Sequence, residues 1–169
     1  MKKVLALFMV ICFMTTLCGC TFLKDVLDLS GKEEPKTFQF DGVSIELTTE
    51  FLRMDFISKD YDFVVGTDDL TVMGVKAAME DNEEISVMDY AEVYHSVIAD
   101  MNPTEITEME GIPTLQCVMD DEDGEDTRVA VMFYKGTDCF WVILFAADTD
   151  DFSEHYNDIC KYAKTVKCE

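Results

Sequence analysis

Apolar and polar residues alternate along Thr37–Phe40 and Val43–Leu47, on either side of Asp41-Gly42. A period of two marks a half-buried strand, and Asp-Gly between two such runs predicts a type I′ hairpin, because both central residues tolerate positive φ. A second pair, Asp62–Gly66 and Leu70–Met79, is joined across Thr67-Asp68-Asp69. The period then changes. Val87, Tyr90, Tyr94, Val97, Ile98 and Met101 recur near helical spacing and predict a helix over Ser86–Met101. Ser86 and Asp89 form a capping pair at its start, and Pro103 stops it. Strands of increasing hydrophobicity follow: Thr104–Glu110 with Pro113–Met119 around Gly111, then Arg128–Lys135, then Cys139–Ala147.

The last two strands carry the most information. Val129, Val131 and Phe133 point to one side of the sheet, and Ala130, Met132 and Tyr134 to the other. The run Phe140-Trp141-Val142-Ile143-Leu144-Phe145 is apolar on both sides, so both faces of the sheet must be covered. The turns Asp120–Asp126 and Lys135-Gly136-Thr137-Asp138 are short enough for antiparallel hairpins and too short for crossovers. Asp151–Lys164 then sets Phe152, Tyr156, Ile159, Cys160 and Ala163 on one helical stripe, with acidic residues in the first turn and lysines in the last. The pattern predicts an α+β domain, an antiparallel β-sheet flanked by α-helices on both faces.

The first residues follow a different logic. Lys2 and Lys3 precede an apolar stretch, Val4–Leu17, broken only by Thr15 and Thr16 and too short to span a bilayer comfortably. Leu17-Cys18-Gly19-Cys20 closes it with small residues and then a cysteine. This segment resembles a bacterial lipoprotein signal, with Cys18 in a slot more often filled by Ala or Ser. The resemblance implies that residues 1–19 are removed and that Cys20 becomes the lipidated first residue. Two acyl chains on one diacylglycerol hold a protein to a membrane stably, where one chain binds only marginally. Residues 20–36 read as a tether, ending in the Gly- and Pro-punctuated run Ser30–Lys36, and residues 37–169 as one folded domain.

The charge narrows the range of partners. The chain carries 13 basic and 35 acidic residues, a formal charge of −22, and loss of Lys2 and Lys3 takes it to −24. Such a field repels phosphate backbones and anionic headgroups, which argues against nucleic acid and against a second electrostatic contact with a membrane. Acidity also serves simply to keep a tethered domain soluble.

Seven cysteines reduce to four once position is considered, since Cys12 and Cys18 leave with the signal and Cys20 is lipidated. Cys117, Cys139, Cys160 and Cys168 permit three complete pairings, and burial as free thiols is an equally open reading, so one bridge or none is expected. None is spaced as CxxC, and His95 and His155 stand in no close Cys/His array, so no zinc site is expected. The acidic run Asp120-Asp121-Glu122-Asp123-Gly124-Glu125-Asp126 has the composition of a calcium loop but the wrong register. With Gly124 as the bend, the end ligand positions fall on Met119 and Ala130, which cannot chelate. The run is read as a solvated hairpin loop. Neither histidine has a neighbouring Ser, Cys or Asp arranged as a triad, and an enzyme is not expected. Trp141 lies inside the core strand, where packing is its default role.

Phe40-Asp41-Gly42-Val43, Ile85-Ser86-Val87-Met88-Asp89-Tyr90 and Phe140-Trp141-Val142-Ile143, taken with the order of elements, resemble the PsbP-like fold. That fold is shared by an extrinsic photosystem II subunit and a Ran-binding nuclear import factor. The resemblance covers about Thr37–Val166, and all three matched segments are structural: a turn, a helix start and a core strand. It implies no catalytic residue, since fold does not imply function. A cystatin-like or nuclear-transport-factor-like α+β domain is the alternative. The function expected is that of a lipid-anchored module on the extracytoplasmic face of the membrane, non-enzymatic, without a cofactor, and meeting another envelope protein. The alternative is a lipoprotein that binds a small ligand or a divalent cation.

Overall fold

The structure, a computed structural model, describes residues 34–54, 60–79, 85–119 and 126–169. Ten strands and two helices stand among them. β1 (Pro35–Phe40), β2 (Val43–Thr48) and β10 (Lys167–Cys168) form a small antiparallel sheet in the order β1-β2-β10. The other seven strands are β3 (Leu52–Arg53), β4 (Phe63–Gly66), β5 (Thr71–Ala78), β6 (Thr107–Met109), β7 (Ile112–Met119), β8 (Thr127–Lys135) and β9 (Cys139–Asp148). They form one sheet in the order β3-β4-β5-β9-β8-β7-β6, antiparallel throughout. The helices are α1 (Val87–Val97) and α2 (Phe152–Ala163).

The centre of the large sheet follows its sequence closely. Every residue of β9 from Cys139 to Ala147 is buried, and the two faces of β8 divide as their alternation requires. Val129, Val131 and Phe133 join one core cluster with Val142, Leu144 and Ala146 of β9, covered by Ala91 of α1. Ala130 and Met132 join the other with Trp141, Ile143 and Phe145, covered by Phe152, Ile159 and Ala163 of α2 and by Phe38, Val43, Ile45 and Leu47 of the small sheet. A second sheet thus shares with α2 the work of covering that face, which a single sheet between helices does not anticipate. β10 is only two residues long and β3 likewise, and neither has a periodic signal of its own.

Three local expectations are corrected. At the β1–β2 turn Gly42 has φ +85, but Asp41 has no positive φ, so the turn is not type I′. The type I′ signature sits instead between β6 and β7, where Glu110 (φ 56) and Gly111 (φ 83) both lie in the left-handed region and Met109 pairs with Ile112. α1 ends at Val97, short of Met101. Ala99–Met101 is a 3₁₀ turn closed by Asn102 in the αL conformation (φ 47), so the chain has left the α-helix before Pro103 can stop it. Tyr156 is 39% exposed and does not belong to the buried stripe of α2.

The capping box at Ser86 is present in full. Ser86 Oγ accepts from Asp89 N at 3.1 Å, Asp89 Oδ2 accepts from Ser86 N at 3.1 Å, and the bonds to Ser86 hold the Asp89 carboxyl below its usual pKa. Lys135 Nζ donates to Ile85 O at 2.9 Å and ties this helix start to β8. At the other end of the domain, Thr165 Oγ1 accepts from Glu46 N at 2.9 Å and Tyr134 Oη donates to Ala163 O at 3.0 Å, docking the end of α2 between the two sheets.

Candidate functional site

The β1–β2 turn is laid over β4, β5 and β9 and builds a cluster of aromatic and cationic side chains. Phe40 stacks face to face on Phe63, with centroids 4.0 Å apart and planes 7° apart. Phe63 leans on Trp141 at 6.2 Å. Arg53 places its guanidinium 4.7 Å from the Phe40 centroid, and Lys76 its ammonium 5.9 Å from Trp141. The assembly is a ladder of rings between two cations, an arrangement favoured by the negative faces of the rings. Two glycines make room for it. Phe63 covers the bare backbone of Gly74 directly across the ladder, and Gly42 lets the turn pass within 3.4 Å of Lys76 Nζ, measured from where its Cβ would stand.

A cleft of about 170 Å³ opens beside the ladder, lined by Phe40, Arg53, Met54, Tyr61, Asp62, Phe63 and Val64. That volume falls short of the 300–1,000 Å³ typical of a small-molecule site. Its charged groups are also engaged. Arg53 Nη2 donates to Gln39 O at 2.6 Å, and Asp62 Oδ2 accepts from Lys76 N at 2.6 Å. Tyr61 is 7% exposed and its hydroxyl has no hydrogen-bond partner. Burial, with Asp60 beside it, pushes the phenol up to about 12.

The residues singled out from sequence do not converge. His95 closes the last turn of α1, while His155 sits on α2, on the far side of the large sheet. Trp141 is fully buried and packed, and its indole N–H has no hydrogen-bond partner. Among the described residues no three His, Cys, Asp or Glu side chains stand close enough to hold a metal ion. Of the acidic hairpin loop only Asp126 is described, and residues 120–125 and Cys20 lie outside the described residues. Sequence reading missed Arg53, Lys76 and Tyr61; Arg53 meets Phe40, and Lys76 meets Trp141, only across long stretches of chain. Only Phe40-Asp41-Gly42-Val43 and Trp141 signalled this place, and they did so as a turn and a core strand.

The four thiols also separate by position. Cys117 lies under α1, where burial pushes it up to about 11. Cys160 on α2 donates to Met109 Sδ at 3.3 Å. Cys139 and Cys168 share the core face beneath the small sheet. All four are free thiols in the structure.

An antiparallel seven-stranded sheet packed against a second small sheet and two helices defines the class, an α+β sandwich. No family model matches the chain, and no curated protein matches it. Among solved structures it is similar to a cyanobacterial PsbP, CyanoP, from Synechocystis, with a TM-score of 0.52 and 9% identity over 83% of this chain and 95% of that one. A Bacteroides thetaiotaomicron protein aligns at a TM-score of 0.49 and 7% identity, over 75% of this chain and 45% of that one. The chain has a PsbP-like fold.

Proposed function

We propose that this chain is a non-enzymatic accessory module, held at the extracytoplasmic face of a membrane through lipid on Cys20, that binds another envelope protein by its surface. In this reading the large sheet is sandwiched with a helix on either face, α1 on one and α2 with the small sheet on the other. The observation that carries it is a pair of exposed apolar side chains on one helix, the two most exposed of the large apolar residues among those described. α1 turns Val93 and Val97 outward, 60% and 48% exposed and one helical turn apart, while the cleft beside the aromatic ladder is small and its charges are engaged. Exposed apolar surface on a well-packed helix is available to a partner, and the surrounding negative charge favours one with a basic rim. The fold likeness to CyanoP supports the accessory reading and adds no partner of its own.

A photoactivatable cross-linker placed at Val93 in intact cells tests this directly, with the same probe at Tyr156 on α2 as the control. One stoichiometric envelope protein captured from position 93 and not from 156 is the expected result. Equal capture from both positions, or background alone from 93, would overturn it. The anchor has its own test: Cys20→Ala should release the protein or leave it unprocessed, and normal anchored maturation of that variant would refute lipidation.

A further inference from the structure

We propose that Cys139 and Cys168 are a disulfide-forming pair that staples the end of the chain to the first residue of β9. The geometry comes from three loops that meet at one end of the domain. Glu169 N donates to Gly42 O at 3.0 Å, Thr137 N donates to Glu169 O at 3.1 Å, and Gly136 N donates to Cys139 O at 2.8 Å. The chain end is thereby clamped between the β1–β2 and β8–β9 turns, with Cys168 paired to Val43. A Cβ built on Gly136 would stand 3.0 Å from Cys139 Sγ and 2.9 Å from Glu169 O, so that sulfur lies within about 6 Å of the residue next to Cys168. Cys168 packs on the same core cluster that contains Cys139.

Of the other two thiols, Cys160 packs on the same core cluster but at its opposite edge. Cys117 is on the opposite face of the large sheet, and Cys160 is engaged with Met109 on β6, the far edge strand. Cys168 is pushed up to about 12 by burial and then by Cys139, the one thiol of the four that acts on another. Cys139 is raised by burial and Asp138 and opposed by the ammonium of Lys76. Thiols so far above neutral pH make poor nucleophiles, which suits a bridge formed once and kept over a redox centre that turns over.

With glutathione disulfide as oxidant the atoms balance. The thiolate of Cys168, the more accessible of the two, attacks one glutathione sulfur and gives a mixed disulfide, and the released glutathione thiolate takes up the lost proton. Cys139 Sγ then attacks Cys168 Sγ, the protein disulfide forms, and the second glutathione leaves. Two protein thiols are oxidised, and one glutathione disulfide is reduced to two thiols. This chemistry depends on the geometry alone, so it stands or falls separately from export and from the envelope partner.

The test equilibrates the full chain, in detergent, with glutathione disulfide, quenches in acid, alkylates free thiols, and maps peptides after a digestion that cuts between Cys139 and Cys160. A Cys139–Cys168 linked peptide is expected, retained in Cys117→Ala and Cys160→Ala. The oxidised chain should melt about 5 °C or more above the reduced one, because the bridge closes a loop of some thirty residues in the unfolded chain. Cys168→Ala, at a half-buried site, should fold and lose that difference. Complete alkylation of both cysteines after equilibration, or linkage of either to Cys117 or Cys160, would overturn the pairing.

Discussion

The two faces of β9 are both buried and are finished differently. Beneath α2 and the small sheet the cover is almost wholly hydrocarbon: Trp141, Ile143 and Phe145 meet Phe38, Ile45, Leu47, Phe152 and Ile159. Beneath α1 the cover is phenolic. Tyr90 stacks on Phe140 at 4.3 Å, and Tyr90 and Tyr94 meet Phe133 edge-on at 6.1 Å and 5.2 Å, with Tyr61 and Cys117 alongside. Burial raises the pKa of every one of these titratable groups. The same strand therefore meets mainly aliphatic and indole surface on one side and a cluster of phenols on the other. Both sides are expected to respond to alkali, since burial also raises Tyr134, Cys139, Cys160 and Cys168 on the first, but the second holds the larger group of phenols.

The largest blow to the hydrocarbon side is Trp141→Ala, which removes the fully buried indole shared by the two sheets and should cost about 3–5 kcal/mol. Urea denaturation followed by circular dichroism measures it, and a loss under 1 kcal/mol would contradict the packing described. Gly74→Ala should follow at about 1–3 kcal/mol, because the new methyl group must displace the Phe63 ring and with it the Phe40 stack. The shift of Phe40 ring resonances in an NMR spectrum reports that displacement independently of stability.

On the phenolic side the response to alkali can be followed at one residue. A phenol raised from 10.0 to about 12 stays protonated in the folded protein while its unfolded counterpart ionises. Tyr61 therefore contributes its full stability below pH 10, and that contribution is lost as pH climbs from 10 to 12. Unfolding midpoints recorded across that window should fall, and Tyr61→Phe should flatten the fall. A variant as steep as the parent would show that Tyr61 does not carry the effect.

The smallest differences separate two tyrosines at neutral pH. Tyr134→Phe removes the bond to Ala163 O, which keeps its 3.3 Å bond from Val166 N, at a cost of about 1 kcal/mol. Tyr61→Phe removes a buried hydroxyl that bonds to nothing and should be neutral or slightly stabilising. Equal losses in the two variants would mean that the Tyr61 hydroxyl is satisfied in solution. Ser86→Ala, on the exposed capping box of α1, should cost about 1 kcal/mol and report only on that helix.

Elements whose character is local were legible before folding. The division of β8 into Val129, Val131 and Phe133 against Ala130 and Met132 follows from alternation alone, because a strand's side chains must point to opposite sides. The capping box at Ser86 and Asp89 is equally local, since its bonds join residues three apart. The type I′ turn was misplaced because Asp-Gly only permits two positive φ values. At Asp41-Gly42 the hairpin docks against Trp141 and Lys76, whereas Gly111 has open space around it. α1 was overextended because the apolar spacing continues through Met101 while the backbone tightens to 3₁₀ after Val97.

By itself the sequence determined the strand and helix periods, the two-faced burial of the central strands, the capping box and the excess of negative charge. These depend on residues at most a few positions apart. Only the tertiary structure decided that the first hairpin and the chain end form a separate sheet over one face, and that Arg53, Phe40, Phe63, Trp141 and Lys76 line up in one ladder. It also decided that Cys139, Cys160 and Cys168 share one core cluster while Cys117 lies on the opposite face. Such contacts join residues tens of positions apart, and a two-residue strand such as β10 exists because β2 offers it an edge and the core offers it a surface.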